Sequence, residues 1–408
     1  MSIARHPLAA RWARHHAAWR DPVQVAVQWR EATETDPRAL RYTVSGEWWE
    51  TLAVSGATFL VTREYEHVVM ALRADEQGPV VTYLPVPHPS GLAVDRTRGI
   101  VHLASTRNPN QVYDLRPASG VMGRGDVRGP QPKDRPLLPT RARYYPGCLY
   151  LHDLAMIGGR LHGTAAGQNA VVRLDNEGGH PPVWWPRCVE RPGGPAFDRN
   201  YIQLNSIAAG PRLFDSFFSA SADHVSARRP GHHNFPVNRR GVIFSGATRL
   251  PVVRGLTRPH SARLHRGRLW VDNSGYGEVG IGEDGAFVPV ARLPGWTRGL
   301  CFHDHVAFVG TSRVIPRFRQ YAPGLDVASS ACGLHAVDSR SGRVLGSLVW
   351  PEGNQIFAID WLPSEVTGGL PFRVGARRAR ERDRELFYAF ETTRAGEGAP
   401  GAPGGRRR

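Results

Sequence analysis

The amino-acid sequence predicts an all-β fold, a single β-propeller of six blades. Three observations point there. Short β-type runs such as Thr58-Phe59-Leu60-Val61-Thr62 follow one another, each bounded by Gly, Pro, Asn or Asp. Among 408 residues there are 45 Gly and 33 Pro, which favours many short elements over a few long helices. Most decisively, a polar residue, a small residue and an apolar pair, then a Gly-type turn and a second strand, recur six times, and such self-similarity marks a repeat architecture.

The copies run in order. Ser90-Gly91-Leu92-Ala93-Val94 leads to Gly99-Ile100-Val101-His102, and His152-Asp153-Leu154-Ala155-Met156 leads to Gly159-Arg160-Leu161-His162. Asn205-Ser206-Ile207-Ala208 is the third, and His260-Ser261-Ala262-Arg263-Leu264 leads to Gly267-Arg268-Leu269-Trp270. Arg298-Gly299-Leu300-Cys301-Phe302 is the fifth, and Phe357-Ala358-Ile359-Asp360-Trp361 the last and weakest. Anchor spacings of 62, 53, 55, 38 and 59 residues suit four-stranded blades with loops of varied length. The stretches 173–178 and 336–342 read as outer hairpins turned by Asp and Gly. Trp48-Trp49 and Trp184-Trp185 read as aromatic packing between blades.

Three regions flank or interrupt this pattern. Residues 1–45 form a short helical or extended N-terminal segment before a propeller spanning 46–372, and residues 373–408 read as a charged, helix-like stretch over 376–385 with a disordered tail. Residues 116–146, rich in Pro, Gly and Arg, and residues 222–240, with His224, His232 and His233, read as long loops. The four cysteines, Cys148, Cys188, Cys301 and Cys332, form no CxxC and read as buried free thiols.

The net charge of +16 invites a nucleic-acid or membrane reading, which position weakens. Residues 1–20 carry +4, while 116–146 and 373–408 carry +5 each, so only +2 is left on the blades. Of 52 basic residues, 51 are Arg, a bias of composition rather than a basic stripe, and specific nucleic-acid recognition is not expected. No run approaches a membrane span, and Arg11, Arg14, His15 and His16 break the N-terminus before a signal peptide could form. A cytoplasmic protein with no membrane partner is expected.

In a propeller the innermost strands line a central channel, so equivalent anchors converge. One ring then collects Ser90, His152, Asn205, His260, Arg298 and Phe357, and the next Gly91, Asp153, Ser206, Ser261 and Gly299, with His88 just upstream. Three chemistries suit this set. Neutral His152 and His260, with His88 or Asp153, could ligate a divalent transition metal. A single His could act as general base while Arg298 and Asn205 stabilise negative charge. Arg298 could simply bind an anionic ligand. The sequence has no GxGxxG after a strand, no phosphate loop, no HExxH and no GxSxG, so no nucleotide cofactor is expected.

The motifs Pro87-His88-Pro89-Ser90-Gly91-Leu92-Ala93, His152-Asp153-Leu154-Ala155, Leu204-Asn205-Ser206-Ile207-Ala208, Arg258-Pro259-His260-Ser261, Arg268-Leu269-Trp270 and Pro294-Gly295-Trp296-Thr297-Arg298-Gly299-Leu300 resemble the bacterial family known as domain of unknown function 4915. The resemblance spans roughly residues 48–372. It implies a propeller-like fold and no established reaction. This sequence departs from the family pattern in reading Asn205-Ser206-Ile207-Ala208 for LNGLA and His260-Ser261-Ala262-Arg263 for PHSPR, and between Asp215 and Gly241.

The resulting expectation is an enzyme, a metal-dependent oxidoreductase or a hydrolase or lyase, that modifies a small molecule or peptide as in biosynthetic tailoring. Its His-lined axial pocket would bind iron, copper or zinc through His88, His152 and His260, with Arg298, Asn205 and Asp153 as catalytic groups and oxidation favoured over hydrolysis. The alternative is a non-catalytic propeller that binds an anionic ligand or acts as a protein scaffold.

Overall fold

A computed structural model describes residues 35–375, save 107–109, 121–134, 229–231 and 233, together with residues 9, 10, 13, 391 and 392. Six antiparallel sheets stand around one axis. Their innermost strands are Ile359–Pro363, Pro89–Asp95, Leu151–Ile157, Leu204–Ala208, Pro259–His265 and Trp296–His303, for blades 1 to 6. Each touches the next, and blade 6 touches blade 1, so the ring is closed.

Closure uses both ends of the described chain. Ile359–Pro363 supplies the inner strand of blade 1 by pairing with Ala57–Arg63, 296 residues away at Thr62 and Ala358. Thr43–Gly46 adds a fifth, outermost strand to blade 6 against Val344–Val349. The boundary expected at residue 45 therefore falls inside a strand of blade 6, and the described part of the N-terminal segment comprises helical residues 9, 10 and 13, a 3-10 turn, Pro37–Leu40, and that strand. The rest of that segment, the helix-like 376–385 and most of the tail lie outside the described residues.

Burial explains the sequence pattern. Strands near the axis are covered on both faces by neighbouring blades, so Ala57–Arg63, Pro89–Asp95 and Leu204–Ala208 are buried throughout. The outer strand Ala286–Arg292 faces water and alternates. One apolar cluster fills each of the six gaps between blades. The gap between blades 6 and 1 is wedged by the helix Trp48–Ser55, whose Trp48 and Leu52 are fully buried and whose end at Gly56 is left-handed, φ 59°. Trp184 packs on Phe218 across blades 3 and 4, centroids 4.0 Å apart.

Two expectations are corrected. Residues 116–146 are not one long loop: Asn110–Gly120 and Leu137–Tyr145 pair as a hairpin on the outside of blade 2. Pro139 is tolerated because an outermost strand has a free edge. The thiols are free as expected, but Cys148 is exposed and Cys188 half-buried.

Gly91 shows how tightly the inner strands meet. A Cβ there would lie 2.7 Å from the Cα of Asp153, backbone that cannot swing aside. Gly91→Ala is expected to lower unfolding stability by about 1–3 kcal/mol, the cost of overpacking, and Gly99→Ala, with open space around it but a left-handed backbone at φ 62°, by the roughly 1–2 kcal/mol that an L-residue costs there. Urea unfolding of the two variants checks this.

Candidate functional site at the propeller axis

The inner strands share a local construction that the sequence repeat encodes. In blades 2 to 6 each inner strand carries one residue more than its partner near its start, a β-bulge. Bulges re-aim side chains. In blades 2 to 5 the residue just before the strand is a non-glycine in the left-handed region: His88 (φ 44°), Tyr150 (49°), Gln203 (51°) and Arg258 (53°). Such residues cost of order 1–3 kcal/mol each and cluster at functional sites. Four in register around one rim mark that rim as the candidate functional end.

There the structure gathers His152, His260, Arg258 and Arg298. The guanidinium of Arg298 lies 3.4 Å over the ring of Phe357, against which His152 also packs, centroids 5.4 Å apart. Arg258 stacks on Tyr321 at 4.5 Å, and His260 meets Trp296 edge-on at 5.4 Å. With the Gln355 amide set to satisfy both neighbours, its oxygen accepts from Nη1 of Arg298 at 2.5 Å and its nitrogen donates to Oε2 of Glu64 at 3.0 Å. Thr106 donates to the other oxygen of Glu64. One face of each arginine is thus covered by a ring.

Both imidazoles are held neutral. Burial, then the charges of Arg298 and Arg258, push the pKa of His152 and of His260 well below the usual histidine range. His152 also depresses His260, so the two rings sense each other. Asn205 belongs to the same rim. Its Nδ2 donates to the carbonyl of Pro259 at 2.7 Å, beside His260, while its buried Oδ1 has no hydrogen-bond partner among the described residues.

Other expected site residues stand elsewhere. Asp153 points into the ring below, where Arg263 binds its carboxylate at 2.8 Å and the N–H of Ile207 donates to it at 3.0 Å. That is a structural engagement. His88 sits beside His67, rings 4.1 Å apart, and its N–H donates to Nδ1 of His67. Among the described residues no three His, Cys, Asp or Glu side chains converge so as to hold a metal ion. The expected ligand set of His88, His152 and His260 is therefore not assembled. The physical reason is plain: His88 pairs with His67, Nε2 of His152 meets Gln203 at 2.9 Å, and two guanidinium charges oppose a dication.

Sequence reading does not single out Arg258, Gln203, Gln355 or Glu64 as site residues. Arg258 had a usable signal, since it precedes Pro259-His260 as His88 precedes Pro89-Ser90. Above the rim, Ala222, Phe235 and Val237 from one long segment join Trp296, Val314, Ile315, Phe318 and Tyr321 in an apolar roof. Three described residues of the segment that departs from the family pattern thus pack in the cluster that holds Trp296 and Tyr321, the ring partners of His260 and Arg258.

Residues 46–368 match the family model described as "Domain of unknown function (DUF4915)". The chain belongs to this family. No curated protein matches it in sequence. Among solved structures, a chain of the nidogen/laminin complex is similar with 9% identity and TM-score 0.49, over 76% of this chain and 99% of that one. A gluconolactonase from Xanthomonas campestris is similar with 14% identity and TM-score 0.43, over 73% and 86%. The dihydro-heme d1 dehydrogenase NirN is similar with 11% identity and TM-score 0.36, over 75% of each. At these identities and scores the likeness says nothing about chemistry or ligand. No helix among the described residues is long and apolar enough to cross a membrane.

Asp272, fully buried behind His260 in the neighbouring strand, supplies a test of the local electrostatics. Burial raises its pKa well above 3.8, against the opposing pull of Ser261 and Arg263. A raised folded pKa means that its contribution to stability is fully present below the unfolded value and is lost as pH rises through the folded one. Asp272→Asn removes this cost. The variant is expected to be more stable than wild type at neutral pH and to lose that advantage in acid, as chemical denaturation across pH will show.

Proposed function

We propose that this protein is an enzyme whose axial pocket holds a small molecule bearing a carboxylate or phosphate and moves a proton on it. One observation carries the reading: two buried guanidiniums, Arg258 and Arg298, stand close enough to two neutral imidazoles, His152 and His260, at one rim of the axis for their charges to be felt by both rings. Buried cations in a low-dielectric site attract an oxyanion strongly. A planar guanidinium whose face is stacked presents its N–H edge, which matches carboxylate or phosphate geometry. Neutral imidazoles beside it can give or take a proton across the pH range in which enzymes work.

Each side chain then has a role. Arg298, steadied by Gln355 and Glu64, and Arg258, braced on Tyr321, bind and orient the anion. His152 and His260 serve as acid–base groups, and Asn205 offers its unpartnered carbonyl oxygen to a donor on the ligand. The apolar roof excludes water, which strengthens every charge interaction beneath it. The metal set expected from the sequence, His152 and His260 with His88 or Asp153, is not gathered among the described residues, and the proton-transfer reading does not call on it.

Binding of inorganic phosphate, succinate and citrate, followed by thermal unfolding and calorimetry, tests the reading. A ligand at a hundredfold excess over Kd adds roughly 2.7 kcal/mol to stability, so a clear rise in Tm is expected for at least one of these anions. Arg298→Gln should weaken that binding about tenfold or more, the worth of a charge-assisted hydrogen bond. If no anion stabilises the protein at millimolar concentration, or Arg298→Gln binds as tightly as wild type, the reading is wrong.

A further inference from the structure

The two imidazoles at the axis are not equivalent, and their hydrogen bonds say how they differ. Nδ1 of His260 lies 2.9 Å from the carbonyl oxygen of Arg258. A carbonyl only accepts, so Nδ1 carries the proton and shares it with Oγ of Ser274 at 3.0 Å. Nε2 of His260 therefore holds a lone pair, and it makes no hydrogen bond among the described residues.

At His152 the orientation is fixed by a longer chain. Asn200 Nδ2 donates to Oε1 of Gln203 at 2.6 Å, and the N–H of Gln203 donates to Oδ1 of Asn200 at 2.8 Å. With its oxygen taken, the Gln203 amide turns Nε2 toward Nε2 of His152 at 2.9 Å. That ring nitrogen must accept, so the proton of His152 sits on Nδ1, which is buried and has no partner among the described residues. Gln203 itself has a left-handed backbone, φ 51°, just before its strand. Both rings are the same Nδ1–H tautomer, yet they leave opposite groups open: a lone pair on His260 and an N–H on His152.

We propose a division of labour in which Nε2 of His260 accepts the proton and Nδ1–H of His152 donates a hydrogen bond to the charge left behind, with Gln203 as the residue that positions His152. This assignment rests on the anion-binding reading of the pocket. In the step, an O–H, N–H or acidified C–H of the bound carboxylate or phosphate compound loses its proton to Nε2 of His260. The bond's electron pair stays on the substrate as an anion, opposite His152 and Arg298. The class of reaction is a redox-neutral isomerisation of an anionic substrate, in which the imidazolium formed at His260 returns the proton at another atom of the substrate and nothing is lost from it. Burial, and then the nearby guanidiniums, keep His260 neutral until the proton arrives, and the guanidiniums favour the product anion.

Long-range 15N–1H correlation spectra of the full chain with 15N-labelled histidine, assigned with His152→Ala and His260→Ala, read the tautomers directly. Both rings are expected to show protonated Nδ1 and bare Nε2, and to stay neutral well below the ordinary histidine pKa of about 6.5. Gln203→Ala should release His152 to the Nε2–H form while His260 keeps its own. On adding inorganic phosphate or succinate, the Nδ1 signal of His152 and the Nε2 signal of His260 should shift. An Nε2–H form for His260, or a His152 tautomer indifferent to Gln203→Ala, overturns the inference. The predicted tautomers with no response to either anion leave the assignment standing and overturn the anion reading instead.

Discussion

A propeller must solve one problem before any other, which is what to do with the inward edges of its six innermost strands. Each such strand is paired on one side only, and its remaining N–H and C=O groups face the axis, where they are costly if buried unsatisfied. This chain solves it with side chains that reach from one blade to the next. Thr62 donates to the carbonyl of Ser90, and the hydroxyl of Ser90 to that of Leu151. Asp153 accepts from the N–H of Ile207, Ser206 from that of Ala262, and Ser261 from that of Gly299. Ser312 exchanges hydrogen bonds with Ile356 and returns the girdle to blade 1. Every junction of the ring is bridged, each bond contributing on the order of 1 kcal/mol net and fixing the distance between neighbours.

The site is a consequence of that girdle. The bulges that let Asp153, Ser206 and Ser261 reach sideways also place the preceding residue of each strand, His152, Asn205 and His260, at the channel mouth. Structure and function are therefore split over adjacent positions of one motif. The lower residue holds the ring; the upper one stands at the rim where the proposed ligand would bind. Residues one or two positions further back adopt left-handed backbone and add Gln203 and Arg258 to the rim. Strain at those positions is sustained because a closed, close-packed ring leaves the chain no room to relax.

How much of this was legible in the sequence follows from where the information sits. The blades were readable because bulge and girdle impose the same small, polar and apolar order six times, so the anchors His152, Asn205, His260 and Arg298 announce themselves. The weak copy at Phe357 has a physical cause: blade 1 takes its inner strand from the far end of the chain, and the anchor lies just before Ile359–Pro363 rather than within it. The split between Asp153 and His152 was not readable, because adjacent residues of one motif look alike until the bulge separates their directions. Gln203 was hidden for another reason. Its role depends on a left-handed backbone that sequence normally signals with Gly or Asn, and here the position is filled by a side chain that is used. The two outer strands within residues 116–146 were masked by composition, since Pro and Arg suit an exposed edge as well as a loop.

The central claim is that side chains crossing between blades, rather than apolar packing alone, close the ring and so aim the site. Native-state hydrogen exchange at the amides of Ile207, Ala262 and Gly299 tests it most directly, because these N–H groups have no strand partner on the axial side and are bonded to Asp153, Ser206 and Ser261 of the preceding blade. The account predicts that all three exchange only through global unfolding, with protection equal to the full stability of the fold. Exchange at the rate of amides in the exposed outer strand Ala286–Arg292 would contradict it.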